Sequence, residues 1–167
     1  MTSQTPLTTD DRLAIQELMA HYAWALDTGD VDAFVRCFAE GAVVTEQVFE
    51  EPDHWVGLDG IRRLGEHFRN VSNFPGRQHH VGQLLLDGDT TQCKARSYAF
   101  VTECRGEPPY LLRFAGWYED RLVKVEQRWL IAERVIRLWD GPVLQRFPGH
   151  GQWVPRRRPP ELIVNKA

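Results

Sequence analysis

Gln78-His-His-Val-Gly-Gln-Leu-Leu-Leu86, Asp87-Gly-Asp89 and Thr91-Gln-Cys-Lys-Ala-Arg-Ser-Tyr-Ala-Phe-Val-Thr102 form the stretch on which the fold turns. On either side of the Gly-centred turn the residues alternate by two, the period of a half-buried strand, so the stretch predicts a β-hairpin. Two further strand patterns follow, an aromatic one from Tyr110 to Lys124 and a closing one from Arg128 to Trp139, separated by a short Glu126-Gln127 turn.

Toward the N-terminus the period changes. Leu13, Ile15, Leu18, Met19, Tyr22, Ala23 and Leu26 recur close to every 3.6 residues, which predicts a helix from Thr8 to Gly29 with one buried face. Thr8 followed three residues later by Asp11 reads as a capping box, and Thr28-Gly29-Asp30 as a stop. Asp30 can cap a second short helix carrying Val31, Phe34, Val35 and Phe38, and a third helix is expected from about Asp59 to Val71 with Ile61, Leu64, Phe68 and Val71 on one stripe. Ala42 to Phe49, between them, reads as a strand. Helix, helix, strand, helix and four strands predict an α+β fold, its three N-terminal helices packed on one face of a mostly antiparallel sheet. Residues 1–139 read as a single domain, and the Pro-, Gly- and Arg-containing residues 140–167 as an irregular tail. Arg156-Arg157-Arg158 within that tail is most simply a solvated run, with a lid or subunit clasp as the functional alternative.

The bulk chemistry excludes several function classes. The chain has 167 residues, 43% apolar and 26% charged, suited to one ordinary domain. With 20 Lys plus Arg against 23 Asp plus Glu, no surplus of positive charge is available for phosphates, so nucleic acid is not expected as a partner. Cys37, Cys93 and Cys104 are scattered and odd in number, which points to a reducing, cytoplasmic setting rather than a disulfide framework. No apolar run approaches the roughly 20 residues needed to span a bilayer, and the first residues have no signal-peptide pattern, so neither membrane insertion nor secretion is expected. Phosphate-binding GxGxxG and GxxxxGK[ST], zinc-binding HExxH and nucleophile GxSxG motifs do not occur. His21, His54, His67 and His150 do not have the spacing of a ligand set, so no metal is expected.

Five phrases carry a family resemblance: Ala14-Ile-Gln-Glu-Leu-Met-Ala-His-Tyr-Ala-Trp-Ala-Leu-Asp27 with Asp32 to Phe38, Gly57-Leu-Asp-Gly-Ile61, Gln78-His-His-Val-Gly82, Gly116-Trp-Tyr-Glu-Asp120, and Arg128-Trp-Leu-Ile-Ala-Glu-Arg134. In this order and spacing, over about residues 8–139, the chain resembles the SnoaL-like branch of the NTF2-like superfamily, which includes scytalone dehydratase, hexachlorocyclohexane dehydrochlorinase and bile acid 7α-dehydratase. The resemblance implies a curved sheet closed into a cone, with a mostly apolar pocket inside, and no cofactor. Lyases of the family are similar in using a Tyr or Lys, an Asp five positions on, and a His on the strand after the third helix. Those positions here are Tyr22, Asp27 and His79. The resemblance also implies a pocket arginine at Arg134, able to hold a leaving anion or oxyanion, and places the dehydratases' acidic or His position at about Thr102, where the expected acid is absent. Homodimers or homotrimers are common in the family.

The residues support this chemistry independently. A histidine oriented by a carboxylate is a competent base near neutral pH. Strand alternation puts His79, Val81, Gln83 and Leu85 on one face and His80, Gly82, Leu84 and Leu86 on the other, so only one of the adjacent histidines can enter a pocket. Five helical residues turn by about 140°, so Tyr22 and Asp27 do not share a stripe. Core packing is the plain alternative for Tyr22, turn bonding for Asp27 and a surface strand position for Arg134. Tyr98 or Tyr118 could supply the missing acid.

Trp24, Trp55, Phe74, Tyr98, Phe100, Phe114, Trp117 and Trp139 make a large aromatic supply. Trp24, Tyr98, Phe100, Phe114 and Trp117 are the candidate walls for a flat, apolar, possibly polycyclic or aromatic small molecule. The leading expectation is therefore a cofactor-independent lyase or isomerase of dehydratase, dehydrohalogenase or polyketide-cyclase type. The alternative is a non-catalytic ligand-binding or structural protein, including one like the β subunit of ring-hydroxylating dioxygenases.

Overall fold

The computed structural model describes residues 5–71, 74, 76–104, 106 and 110–139; the expected tail over 140–167 lies outside the described residues. The elements in chain order are α1 Thr9–Thr28, α2 Val31–Val35, β1 Phe38–Gln47, β2 Asp53–Val56, α3 Gly57–Asn70, β3 Arg77–Gly88, β4 Gln92–Glu103, β5 Leu111–Val125 and β6 Arg128–Leu138. The sheet runs β2-β1-β6-β5-β4-β3, antiparallel throughout except for the β1/β6 pair. This is the α+β arrangement expected, with one element added: the short β2 pairs Val56 with Val43 and Asp53 with Glu46 at the sheet's edge. Four residues are too few for a readable alternation, so β2 leaves little trace in the sequence.

All three helices cover one face. Along β4 the odd-numbered residues from Cys93 to Glu103 are buried, whereas Gln92, Lys94, Arg96, Tyr98 and Phe100 are exposed. The inner side packs Ile15, Met19 and Tyr22 of α1, Phe34 of α2 and Ile61 and Leu64 of α3 against Ala99, Tyr118, Leu122, Ile131 and Ile136. The β3/β4 and β5/β6 turns have local chemical causes. Asp89 accepts hydrogen bonds from the Thr91 N–H at 2.7 Å and the Gln92 N–H at 3.0 Å, and a Cβ on Gly88 would lie 2.2 Å from the Gln92 carbonyl oxygen. Glu126 and Gln127 both have positive φ, 47° and 64°, the twist a tight β5/β6 turn demands.

β3 departs from simple alternation. Between Gly82↔Tyr98 and Leu85↔Arg96 it contains one residue more than β4, and Gln83 has φ 50°. This bulge reverses the parity that alternation predicts for its second half: Leu86, opposite Ala95, faces the helices, and Leu85 faces away.

Asp11 ties the start of α1 to the sheet. The Thr8 and Asp11 side chains form the reciprocal capping box. The same carboxylate accepts hydrogen bonds from Lys124 Nζ at 2.8 Å and Trp129 Nε1 at 3.0 Å. Lys124 first, then Thr8, holds the Asp11 carboxyl well below the usual carboxylate range, against the opposing effect of burial. Asp11→Ala should cost about 2 kcal/mol, lowering Tm by about 4–8 °C in a calorimetric scan. A depressed folded-state value stabilises above the unfolded aspartate value of about 3.9 and is lost as pH falls toward the folded value. The Tm gap between wild type and Asp11→Asn should therefore narrow on acidification below about pH 4.

Candidate active site

α1 ends where Gly29 turns left-handed at φ 71°, and the Asp30 N–H closes the end on the Ala25 carbonyl at 3.0 Å. The stop leaves Asp27 in the last turn beside β3. One oxygen of its carboxylate accepts the His79 backbone N–H at 2.8 Å, and the other meets His79 Nδ1 at 2.6 Å. Because β3 is an edge strand, Asp27 also caps a backbone donor at that edge. Bonding to the backbone and the ring of one residue fixes the imidazole orientation. A carboxylate at Nδ1 places the proton there and leaves Nε2 as the basic nitrogen. No hydrogen bond is found for Nε2 among the described residues. The side chains are 7% exposed for His79 and 17% for Asp27. His80 points the other way and pairs through Nε2 with Thr102 Oγ1 at 3.0 Å.

Tyr22 and Arg134 meet in a second, deeper cluster. Arg134 is fully buried and forms a two-pronged pair with Asp120, Nε to Oδ1 and Nη2 to Oδ2, both at 2.7 Å. Its guanidinium carbon lies 4.0 Å from the centre of the Tyr22 ring and 4.2 Å from that of Tyr118. Burial works against the charge of Arg134, but Asp120 more than offsets it and holds the guanidinium above its ordinary value. Burial pushes the Tyr22 phenol up and that of Tyr118 well up. No hydrogen bond joins Tyr22 to Asp27 or His79 among the described residues, consistent with the angular offset along α1.

A third group lies on the inner face with His79. Arg77, two residues before it, stands opposite Glu103, and both are buried. Arg77 Nη2 donates to the Phe68 carbonyl at 2.6 Å, while the buried Nε has no hydrogen-bond partner among the described residues. Burial lowers the Arg77 pKa, and Asp27, Glu103, Tyr22 and Glu46 act in the opposite direction, so Arg77 lies among the charges of both other clusters. Glu103 is ion-paired with Arg113. The acid expected near Thr102 thus has an inward-facing neighbour in Glu103, whereas Thr102 itself bonds His80.

Four of the aromatic assignments need correction. Trp24 is 71% exposed on α1. Tyr98, Phe100 and Trp117 lie on the outer face, because Tyr98 pairs with Trp117 and Phe100 with His80, the histidine that points away from Asp27. Only Phe114, opposite Val101 and so on the side of His79, keeps an inward position. Arg77, Glu103, Asp120 and Tyr118 were not singled out as a connected set by sequence. Alternation could have placed Arg77 beside His79, but nothing local marks Asp120 as the partner of Arg134.

Comparison with known proteins agrees with this architecture. Residues 8–135 match the SnoaL-like domain, and the chain belongs to that family. An uncharacterised protein of Mycobacterium tuberculosis is 28% identical over 129 residues, covering 75% of this chain and 83% of its own. Among solved structures, a protein of unknown function from M. tuberculosis is similar with a TM-score of 0.68 and 28% identity, over 80% of this chain and 74% of that one. An NTF2-like protein with a cystatin-like fold from Novosphingobium aromaticivorans superposes with a TM-score of 0.70 at 21% identity, over 82% of this chain and 87% of that one. A protein from the same organism, provisionally named a scytalone dehydratase, does so with 0.66 at 24%, over 80% and 89%. The fold is the NTF2-like one. Among the described residues no His, Cys, Asp and Glu group could hold a metal, and no helix is long and apolar enough to cross a membrane.

Breaking the deeper pair strands a buried charge. Asp120→Ala should destabilise the protein by about 3–5 kcal/mol, read as a fall in the guanidinium unfolding midpoint with an unchanged slope.

Proposed function

We propose that the protein is a cofactor-independent lyase or isomerase in which His79, oriented by Asp27, moves a proton to or from carbon in an apolar small molecule. The observation that carries this reading is the double engagement of the Asp27 carboxylate by the backbone and Nδ1 of His79, which leaves Nε2 unpartnered among the described residues. Nε2 takes a proton from a carbon next to an activating group. The C–H electron pair either forms a C=C bond as a leaving group departs with its own pair, or passes to a carbonyl oxygen as an enolate. The imidazolium faces Asp27, which stabilises its charge, and it then returns the proton to the leaving group or to another carbon.

We assign the charge opposite the developing anion to Arg77 rather than Arg134. Arg134 is committed to Asp120 and two tyrosine rings, whereas Arg77 shares the face of His79 and keeps a buried, unpartnered Nε. Glu103, paired with Arg113, contributes fixed negative charge rather than a transferable proton. Tyr22 packs in the core against the rings of Phe34, Phe38 and Tyr118. Phe114 and the aliphatic inner face suit an apolar, ring-bearing substrate. The provisional dehydratase name of one structural neighbour is consistent with elimination among the available outcomes.

The test separates proton abstraction from the fate of the carbanion. Aromatic and polycyclic ketones with acidic C–H bonds are incubated with the protein in D2O, and deuterium incorporation is read by mass spectrometry. Wild type should catalyse exchange in at least one compound, and His79→Ala and Asp27→Asn should each reduce the rate by about 10²–10⁴-fold while keeping the wild-type Tm within about 3 °C. Exchange that survives both substitutions would sink the dyad.

A further inference from the structure

Arg77 is held in a way that leaves one donor unused. Its Nη2 donates to the Phe68 carbonyl in the last turn of α3 at 2.6 Å, and its guanidinium carbon lies 4.9 Å from the centre of the Phe68 ring. A cation suits the negative end of a helix dipole, so backbone and ring together fix the guanidinium. Nε–H is different: the residue is 8% exposed, and this donor has no acceptor among the described residues. A buried donor without an acceptor costs free energy that a ligand oxygen can recover. The surrounding charges define which oxygen. Burial opposes the charge of Arg77, while Asp27, Glu103 and Glu46 each favour it, and Glu103 is also paired with Arg113. Three carboxylates thus accompany two guanidiniums, so the charge of Arg77 is already compensated although its Nε–H is not. A carboxylate arriving beside His79 would add a fourth negative charge where little water screens it. A neutral oxygen completes the hydrogen bond and leaves the charge unchanged.

We infer that Arg77 Nε binds a neutral carbonyl oxygen of the substrate, so that the site takes ketones and esters, rejects carboxylates and passes over compounds without a carbonyl. The inference rests on the proposed proton transfer by His79 and names the substrate class of that reaction. Arg77 and His79 are two residues apart on one face of β3, which puts their Cα atoms about 6.6 Å apart, and their side chains address neighbouring atoms of one H–C–C=O unit. His79 Nε2 takes the proton from carbon, the C–H pair forms the C=C bond of an enolate, and the carbonyl π pair moves onto the oxygen that Arg77 Nε–H holds. One positive charge appears on the imidazole, next to Asp27, as one negative charge appears next to Arg77. The net charge of the group is therefore the same before and after the step, as a neutral substrate requires. Haloalkanes, whose acidic C–H has no carbonyl beside it, would leave Nε–H unpaired.

Equilibrium dialysis of the full chain against three matched naphthalenes tests the oxygen site without requiring turnover. Methyl 2-naphthoate presents a neutral carbonyl, 2-naphthoate a carboxylate and 2-ethylnaphthalene neither. Wild type should bind the ester at least about 10-fold more tightly than either of the others. Arg77→Lys, which keeps a charge but has no Nε–H, should lose the preference for the ester over 2-ethylnaphthalene while keeping the wild-type circular dichroism spectrum. Glu103→Gln leaves Arg77 in place and removes one carboxylate, so it tests the charge argument even if Arg77→Lys does not fold; it should tighten 2-naphthoate binding by about 10-fold. A carboxylate bound as tightly as the ester, an ester preference that survives Arg77→Lys, a Glu103→Gln variant with unchanged 2-naphthoate affinity, or no measurable binding of the ester would each overturn the inference. Deuterium exchange reads the proton transfer separately. Exchange in wild type without an ester preference overturns the oxygen site alone, and an ester preference without exchange in any ketone overturns the proton transfer alone.

Discussion

One carboxylate joins the end of a helix to the edge of the sheet, and the arrangement of the inner face follows from it. Asp27 lies two residues before the Gly29 stop of α1, and it bonds the backbone of the residue whose ring it orients. The same contact therefore does structural and chemical work. It covers an exposed donor on an edge strand, which sheets otherwise leave open to wrong pairing, and it sets the tautomer of His79.

Beneath this contact the fold tolerates an arginine in its core. An isolated buried guanidinium would be prohibitive, but Arg134 faces Asp120 across the β5/β6 pair and is covered by the rings of Tyr22 and Tyr118. The pair connects α1 to the middle of the sheet, with Met19 Sδ 3.0 Å from Arg134 Nη2. Ion pairing of this kind gives the inner face a polar floor that an all-aliphatic core would lack. The two sides of the sheet are consequently unlike: the inner side holds its charges in buried pairs, and the outer side presents aromatic rings and solvent-facing ion pairs.

Much of this was legible in the chain. The capping box at Thr8 and Asp11, the Gly29 stop, the Asp-Gly-Asp turn and the 3.6- and 2-residue periods are local devices, and they operate in the structure as the sequence reading expects, except that the two-residue period breaks at the Gln83 bulge. Asp27 and His79 were legible as a pair only through the family resemblance, because 52 residues separate them and no short-range pattern connects a helix end to a strand. The aromatic residues misled for a definable reason. Alternation tells that Tyr98 and Phe100 share a face, but both faces of a strand are equivalent until something packs on one of them.

Interactions within a few residues account for the kind and order of every element except β2, for the caps and turns, and for which residues share a strand face outside the Gln83 bulge, and these the chain alone specifies. Tertiary structure decided which face the helices cover, the parity change at the Gln83 bulge, the partner of Arg134 and the inward placement of Arg77 and Glu103. Those outcomes depend on where α1 and the six strands meet, and side-chain burial, which separates a structural ion pair from a candidate catalytic one, exists only after that packing is made.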